Sequence, residues 1–274
     1  MPRLPRGRLE RLREVADRLH PSGLLYATYE HRLIAELDPE RRPQHVAVLA
    51  DGNRRWARAN APGQPLVAGY QAGADKLKEF VEWCDELDIP VVTLWVLSTD
   101  NFQRSGAEEI GPLLDVIEAM VTELAAAQRW RIHPVGALDL LPPDTAAAMK
   151  AADVQTAGID GTVVNIAVSY GGRHELRDAV RSLLAEHAHN GTSIEELAQT
   201  LDIDEIAEHL YTRGQPDPDL IIRTSGEQRL SGFLMWQSAH SEFYFCEALW
   251  PDFRKVDFIR ALRAYADRER RFGG

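Results

Sequence analysis

The chain has 274 residues, 45% of them hydrophobic and 27% charged, a balance that excludes a collagen-like, disordered or disulfide-dense protein and is ample for a full core. Lys and Arg total 31 against 42 Asp and Glu, and the resulting formal charge of −11 argues against a nucleic-acid binder, although basic clusters can sit locally on an acidic protein. The two cysteines, Cys84 and Cys246, have no CxxC or Cys/His neighbourhood, so neither a disulfide framework nor a zinc site is expected and a reducing cytoplasm is the default location.

The first twenty residues are charged throughout and lack the apolar run of a signal peptide. Leu9, Leu12, Ala16 and Leu19 share one helical stripe. Glu10, Glu14 and Asp17 would be repelled by anionic lipid, so this helix is expected to dock on its own protein, with at most peripheral membrane contact. Residues 38–44 (DPERRPQ) read as a linker and divide an N-terminal helical extension, 1–40, from a main domain, 41–274. Strand and helix signals then alternate. Residues 45–50 (HVAVLA) predict a strand, and Leu77, Phe80, Val81, Cys84 and Leu87 predict a helix over 73–87. The continuous apolar run 91–97 predicts a buried parallel strand. A helix follows at 107–127, with Pro112 in its first turns or kinking it. Next come a strand at 131–135, a helix at 144–152, a strand at 162–168 (TVVNIAV) and a helix running to about 187. Short helices at 193–201 and 204–211, strands at 219–222 (DLII) and 243–245, and a charged helix at 256–272 complete the chain. No run is long enough to span a bilayer. This alternation predicts an α/β fold in a single domain, with a mainly parallel central sheet flanked by helices.

Polar, glycine-containing loops follow the strands. After the first come Asp51, Gly52, Asn53, Arg54, Arg55 and Trp56; after the second, Ser98, Thr99, Asp100, Asn101 and Arg104. After TVVNIAV come Ser169, Gly171, Gly172 and Arg173; after DLII, Arg223, Thr224, Ser225 and Gly226, then Arg229 and Ser231. In an open parallel sheet the C-terminal strand ends share one edge and ligands bind there, so these loops are expected to converge. Guanidinium forks match phosphate oxygens in pairs, and glycine turns that open helices add backbone N–H groups, which points to a ligand with two phosphates or to two such ligands. Each loop also has a bland reading: DGN is a common turn, basic loops are often merely solvated, and Gly171-Gly172 is a plausible helix lead-in. A carboxylate such as Asp51 in this setting repels phosphate unless a divalent cation bridges them; otherwise it simply pairs with an arginine.

The blocks HVAVLADGNRRWAR, LSTDNFQR, NIAVSYGGR and PDLIIRTSGEQRLSGFLMWQSAHSEFYFCEALWPDF resemble the signature blocks of the cis-prenyltransferases, from about His45 to the C-terminal ERRFGG. The chain has no DDxxD, so it does not resemble the trans-type synthases. The resemblance implies a homodimer in which 41–274 is the catalytic domain and each subunit joins isopentenyl diphosphate to an allylic diphosphate, with Mg²⁺ as cofactor. It implies that Asp51 carries the metal and assists departure of the allylic diphosphate, with Glu242 as second metal carboxylate, and that Asn101 helps to remove a proton. Gly52, Asn53, Arg54, Arg55 and Trp56 would form the allylic diphosphate site with Tyr70. Arg223, Arg229, Leu230 and Ser231 would hold isopentenyl diphosphate, with Ser98, Thr99, Asp100, Phe102 and Arg104 beside Asn101. The prenyl tail would enter an apolar cleft between sheet and helices, and Arg271-Phe272-Gly273 would reach across the dimer. Several positions depart from the long-chain pattern: Arg54 replaces glycine, Tyr70 histidine, Leu66 arginine, Asp100 glutamate, and Ser225 and Gln228 glycine and histidine. DGNRRWAR, TSGEQRLSGFL and LYATYEHRL look most like the actinobacterial short-chain subgroup that makes Z,E-farnesyl diphosphate. Val96, where long-chain enzymes have alanine, would shorten the channel, unless it is simply a good strand residue. The alternatives are a longer-chain polyprenyl synthase, a lavandulyl-type branching or cyclising synthase, and a non-catalytic partner subunit.

Overall fold

The computed structural model describes residues 30, 32–104 and 107–272, without the side chains of 102–104, 107, 108 and 269–272. The stripe expected at 9–19 and the side chains of the Arg271-Phe272-Gly273 element lie outside what is described. Six strands, β1 (His45–Leu49), β2 (Val91–Trp95), β3 (Arg131–Val135), β4 (Val163–Ala167), β5 (Leu220–Arg223) and β6 (Glu242–Phe245), form one sheet in the order β3-β4-β2-β1-β5-β6. Every pairing is parallel. The helices are α1 (Asn53–Asn60), α2 (Val67–Glu86), α3 (Thr99–Arg104), α4 (Ala107–Ala126), α5 (Pro143–Gln155), α6 (Gly172–Asn190), α7 (Ile194–Thr200), α8 (Ile203–Ala207) and α9 (Lys255–Phe272). Residues 43–253, which include the whole sheet, form one compact unit. The described residues before 43 form a second with those from 254 onward, in which Arg263 pairs with Glu36 at 3.2 Å.

The central strand β1 is buried at all five positions, as a parallel strand covered on both faces requires. On one face Ala47, Leu49, Val135, Ala167, Ile221 and Phe233 make a core that includes Tyr170. Elsewhere in the unit Phe80 of α2 meets Trp250 edge-on at 5.7 Å, and Trp250 stacks on Phe253 at 5.5 Å. Helix α2 starts at Val67 rather than at the predicted 73. Gly69 weakens the helical signal there, but close packing requires it: a Cβ at Gly69 would lie 2.2 Å from the Asn53 carbonyl oxygen on α1. Helices α1 and α3 escaped the periodicity reading because α1 buries only Ala57 and α3 spans six residues.

A buried polar row crosses the sheet away from its C-terminal edge. The His45 Nδ1 lies 2.8 Å from the Pro216 carbonyl, which makes it the protonated ring nitrogen, so Nε2 accepts from the Thr93 hydroxyl at 2.7 Å. Asn165 donates to Thr93 at 3.0 Å and exchanges two hydrogen bonds with Gln215. Burial lowers the His45 pKa from 6.5 to about 4, against a smaller upward pull from the Pro216 carbonyl. The unfolded chain therefore takes up a proton between those values that the folded chain refuses, and stability falls as pH drops from about 6.5 to about 4. Urea unfolding midpoints should decline over that window, and His45→Gln should flatten the decline; equal slopes for the two proteins would discard the assignment.

Candidate active site

The chain order around the sheet reverses at β1, which has β2 on one side and β5 on the other. In open parallel sheets the crevice at such a switch point is the binding position. A cavity of about 1160 Å³ opens there, lined by the segments that follow β1, β2, β4 and β5 together with Tyr70 of α2 and Glu109 and Leu113 of α4. The convergence predicted from the loops is therefore present. Six arginines (54, 55, 58, 173, 223 and 229) and four carboxylates (Asp51, Asp100, Glu109 and Glu227) line it, a cationic excess on an acidic chain. Leu49, Trp95, Val96, Leu97, Leu113, Tyr170, Leu230 and Met235 supply an apolar portion between sheet and helices. Behind it Trp95 stacks on Phe233 at 5.0 Å, and Tyr170 meets Phe233 edge-on at 5.9 Å.

The register that sets Leu49 beside Arg223 brings the ends of β1 and β5 together. The Arg223 Nη2 donates to Asp51 Oδ2 at 3.0 Å, and its Nη1 donates to the Ser231 hydroxyl at 3.0 Å and to the Arg229 carbonyl. Arg223 is 4% exposed, whereas the Asp51 side chain keeps 39% of its surface open. Arg55 approaches the other Asp51 oxygen at 3.5 Å and donates to the Ser225 carbonyl. One carboxylate is thus held by two guanidinium groups while one side remains accessible. Thr224 fixes the Asp51 backbone by accepting from its N–H at 3.0 Å and donating to its carbonyl at 2.8 Å. Gly52, at φ 114°, makes the turn into α1, and a Cβ there would meet Leu249 at 2.9 Å. No side chain caps α1, so its first N–H groups are available to an anion. Ser225 and Ser231 also adopt left-handed backbone, with φ of 80° and 52°, and bend the loop after β5 back over the cavity.

After β2, the Ser98 hydroxyl donates to the Asn101 side-chain oxygen at 3.0 Å and accepts from the Asn101 N–H at 3.2 Å, which sets the amide's orientation. Thr99 lies 3.4 Å from His174 Nδ1 at the start of α6. Gly172 N–H donates to the Gly232 carbonyl at 2.9 Å and so ties the β4 and β5 loops together.

Residues 49–273 match the family model described as putative undecaprenyl diphosphate synthase. The chain belongs to this cis-prenyltransferase family. A relative from Thermobifida fusca named (2Z,6E)-farnesyl diphosphate synthase is 60% identical over 249 residues, covering 91% of this chain and 97% of its own. A relative from Streptomyces avermitilis named isoprenyl transferase 1 is 57% identical over 250 residues, covering 91% and 96%. The crystal structure of lavandulyl diphosphate synthase from Lavandula x intermedia in complex with dimethylallyl diphosphate superposes with a TM-score of 0.76 at 34% identity, over 83% of this chain and 96% of that one.

Of the residues singled out from the sequence of this cis-prenyltransferase, Asp51, Gly52, Asn53, Arg54, Arg55, Tyr70, Ser98, Thr99, Asp100, Asn101, Arg223, Arg229, Leu230 and Ser231 all line the one cavity. Trp56 does not: its indole N–H donates to Asp252 Oδ1 at 2.8 Å, anchoring α1 to the turn at 250–252. Phe102 and Arg104 have no described side chains. Glu242 is not among the lining residues either. The β5–β6 register sets it beside Leu220, three positions before Arg223, which at a strand rise of about 3.3 Å is ~10 Å back from the rim. Within this one chain the register does not set Glu242 at the rim beside Arg223. Sequence reasoning missed Arg58, Glu109, His174 and Glu227 as cavity residues of this prenyltransferase. Arg58 was within reach of it, being one helical turn beyond Arg54 and Arg55 on the same face of α1. Glu109 carried no signal, because only the packing of α4 brings it to α1 and α2.

Proposed function

We propose that this chain condenses isopentenyl diphosphate with a short allylic diphosphate such as geranyl diphosphate, forming a cis double bond and giving Z,E-farnesyl diphosphate or another short-chain product. The observation that carries the reading is the accessible Asp51 carboxylate, held by Arg223 at 3.0 Å, inside a cavity lined by six arginines and an apolar wall. The name of the Thermobifida fusca relative supports the short product.

The donor set at Asp51 fits a divalent cation. Mg²⁺ typically takes one or two carboxylates and completes its shell with phosphate oxygens and water, and one carboxylate here faces the cavity. Bound there, Mg²⁺ would neutralise charge growing on the departing diphosphate. Glu242 lies away from this cavity, so the metal reading rests on Asp51. Arg223 orients that carboxylate from a buried position. The Gly52–Arg55 turn and the uncapped start of α1 would receive the allylic diphosphate, and Arg229 with Ser231 that of isopentenyl diphosphate. Asn101, oriented by Ser98, would assist proton removal from the new bond. Trp95, Val96, Leu97 and Leu113 would exclude water from the electron-poor allyl group. Holding the two substrates head to tail makes the step local, a gain of roughly 7–11 kcal/mol in favourable cases.

A homodimer fits the sheet edge formed by β6, where Phe245 is 40% exposed, since exposed edge strands favour pairing. A cytoplasmic setting fits Cys84 and Cys246, neither of which is in a disulfide. No described helix is long and apolar enough to cross a membrane.

Incubation with isopentenyl diphosphate and dimethylallyl, geranyl or E,E-farnesyl diphosphate, followed by sizing of the dephosphorylated products, tests the reading. One added unit on geranyl diphosphate is the expected result. A ladder of long products would favour a polyprenyl synthase, a branched or cyclic product from dimethylallyl diphosphate a lavandulyl-type enzyme, and no product a non-catalytic subunit.

A further inference from the structure

We infer that Glu109 sets how tightly the cavity holds a diphosphate by competing with it for Arg54. Side chains from three helices meet at this one carboxylate. The Tyr70 hydroxyl on α2 donates to Glu109 Oε1 at 2.5 Å, and Arg54 Nη1 on α1 reaches the same oxygen at 3.4 Å. All three residues line the cavity, and Arg54 keeps 54% of its side-chain surface open. The two contacts differ in strength. Tyr70 is 7% exposed, and burial, reinforced by its hydrogen bond to Glu109, raises its pKa, so its hydroxyl keeps its proton and keeps donating. The Arg54 contact is long, single-pointed and open to water, a weak kind of ion pair.

This asymmetry has a consequence for any anion that enters. Arg55 is shared between Asp51 at 3.5 Å and the Ser225 carbonyl at 3.4 Å, and the buried Arg223 among Asp51, Ser231 and the Arg229 carbonyl. Arg54, by contrast, is held at the start of α1 by the single long contact to Glu109, so it is the cation that leaves its partner at least cost. A diphosphate can offer it two oxygens at once, a better match than one carboxylate oxygen. Glu109 cannot follow Arg54, because Tyr70 holds it in place. It stays behind as a fixed negative charge beside the bound ligand, which lowers affinity and speeds release. Substrate and product of the proposed reaction both carry a diphosphate, so a site that grips the group too tightly slows turnover at product release.

This inference rests on the diphosphate reading above, and titration with inorganic pyrophosphate, at fixed Mg²⁺ and ionic strength, separates the two. Glu109→Gln keeps the acceptor for Tyr70 and the shape of the side chain but removes the charge. It should bind pyrophosphate roughly 3–10-fold more tightly, the effect of one unit charge several ångströms away in a water-exposed site. In steady state its KM for the allylic diphosphate should fall, and kcat should fall with it. In an Arg54→Ala background the tightening should shrink, because the competition for Arg54 is gone while the direct repulsion by Glu109 remains. Glu109→Asp, which keeps the charge, should show none. Unchanged or weaker binding by Glu109→Gln, an undiminished gain without Arg54, or an equal gain in Glu109→Asp would each overturn the inference. Failure of the parent protein to bind pyrophosphate at all would overturn the diphosphate reading and this inference with it.

Discussion

Asp51→Asn should abolish condensation while leaving the fold intact. Asparagine has the shape of aspartate, and its amide oxygen can still accept from Arg223, so the backbone between β1 and α1 keeps its hydrogen bonds to Thr224. The negative charge goes, and with it the ligand that would bridge a cation to the phosphate oxygens. Loss of one group preorganised for developing charge costs roughly 10²–10³ in rate; here the loss should reach at least about 10³-fold, because the metal and its charge go together. Asp51→Ala is a poorer test. It leaves the Arg223 side chain, 5% exposed, without its counter-charge, and an uncompensated buried charge destabilises the fold itself. Single-turnover assays in Mg²⁺, run beside thermal melts, separate catalysis from folding. Turnover by Asp51→Asn within tenfold of the parent would remove Asp51 from the chemistry.

Val96→Ala should lengthen the product. Val96 lines the cavity directly after β2, and its N–H is tied to the Ala167 carbonyl at 3.0 Å. The backbone at this point is held by the neighbouring strand and cannot slide in to refill the space. Removing two methyl groups therefore opens room in the cleft rather than collapsing it, at a stability cost of order 1 kcal/mol for a half-buried valine. Interiors pack with little slack, so such an opening admits tail atoms that valine excludes. Mass analysis should find a share of products extended by one or more isoprene units. An identical distribution for parent and variant would assign Val96 to strand packing alone.

The strands were legible because a buried parallel strand leaves a local imprint. The run at 91–97 is β-branched and the runs at 45–50 and 162–168 are mostly apolar, and the observed β1, β2 and β4 lie within them. The cationic cradle was legible for a related reason: in a parallel sheet whatever follows each strand arrives at the same rim, so reading past the strand ends located Asp51, Asn101, Arg223 and Ser231 together. What chain order leaves open is how far each side chain lies from its neighbours. Trp56 sits among the cradle residues in sequence, yet its position on α1 turns it to Asp252. Glu242 is expected at the metal only from the resemblance, and the register of β6 sets it level with Leu220 rather than with Arg223.

Local pattern by itself determined the α/β class, the parallel sheet and the set of loops that meet, because hydrophobic periodicity and strand direction are properties of neighbouring residues. Only the tertiary structure decided that α2 begins at Val67, that Arg223 is buried on Asp51, and that Glu109 joins Arg54 and Tyr70. Those features depend on contacts between residues 16 to 172 positions apart, such as Gly69 against Asn53 or Asp51 against Arg223. Their distances are set by helix packing and strand register, for which no stretch of the chain carries a local signal.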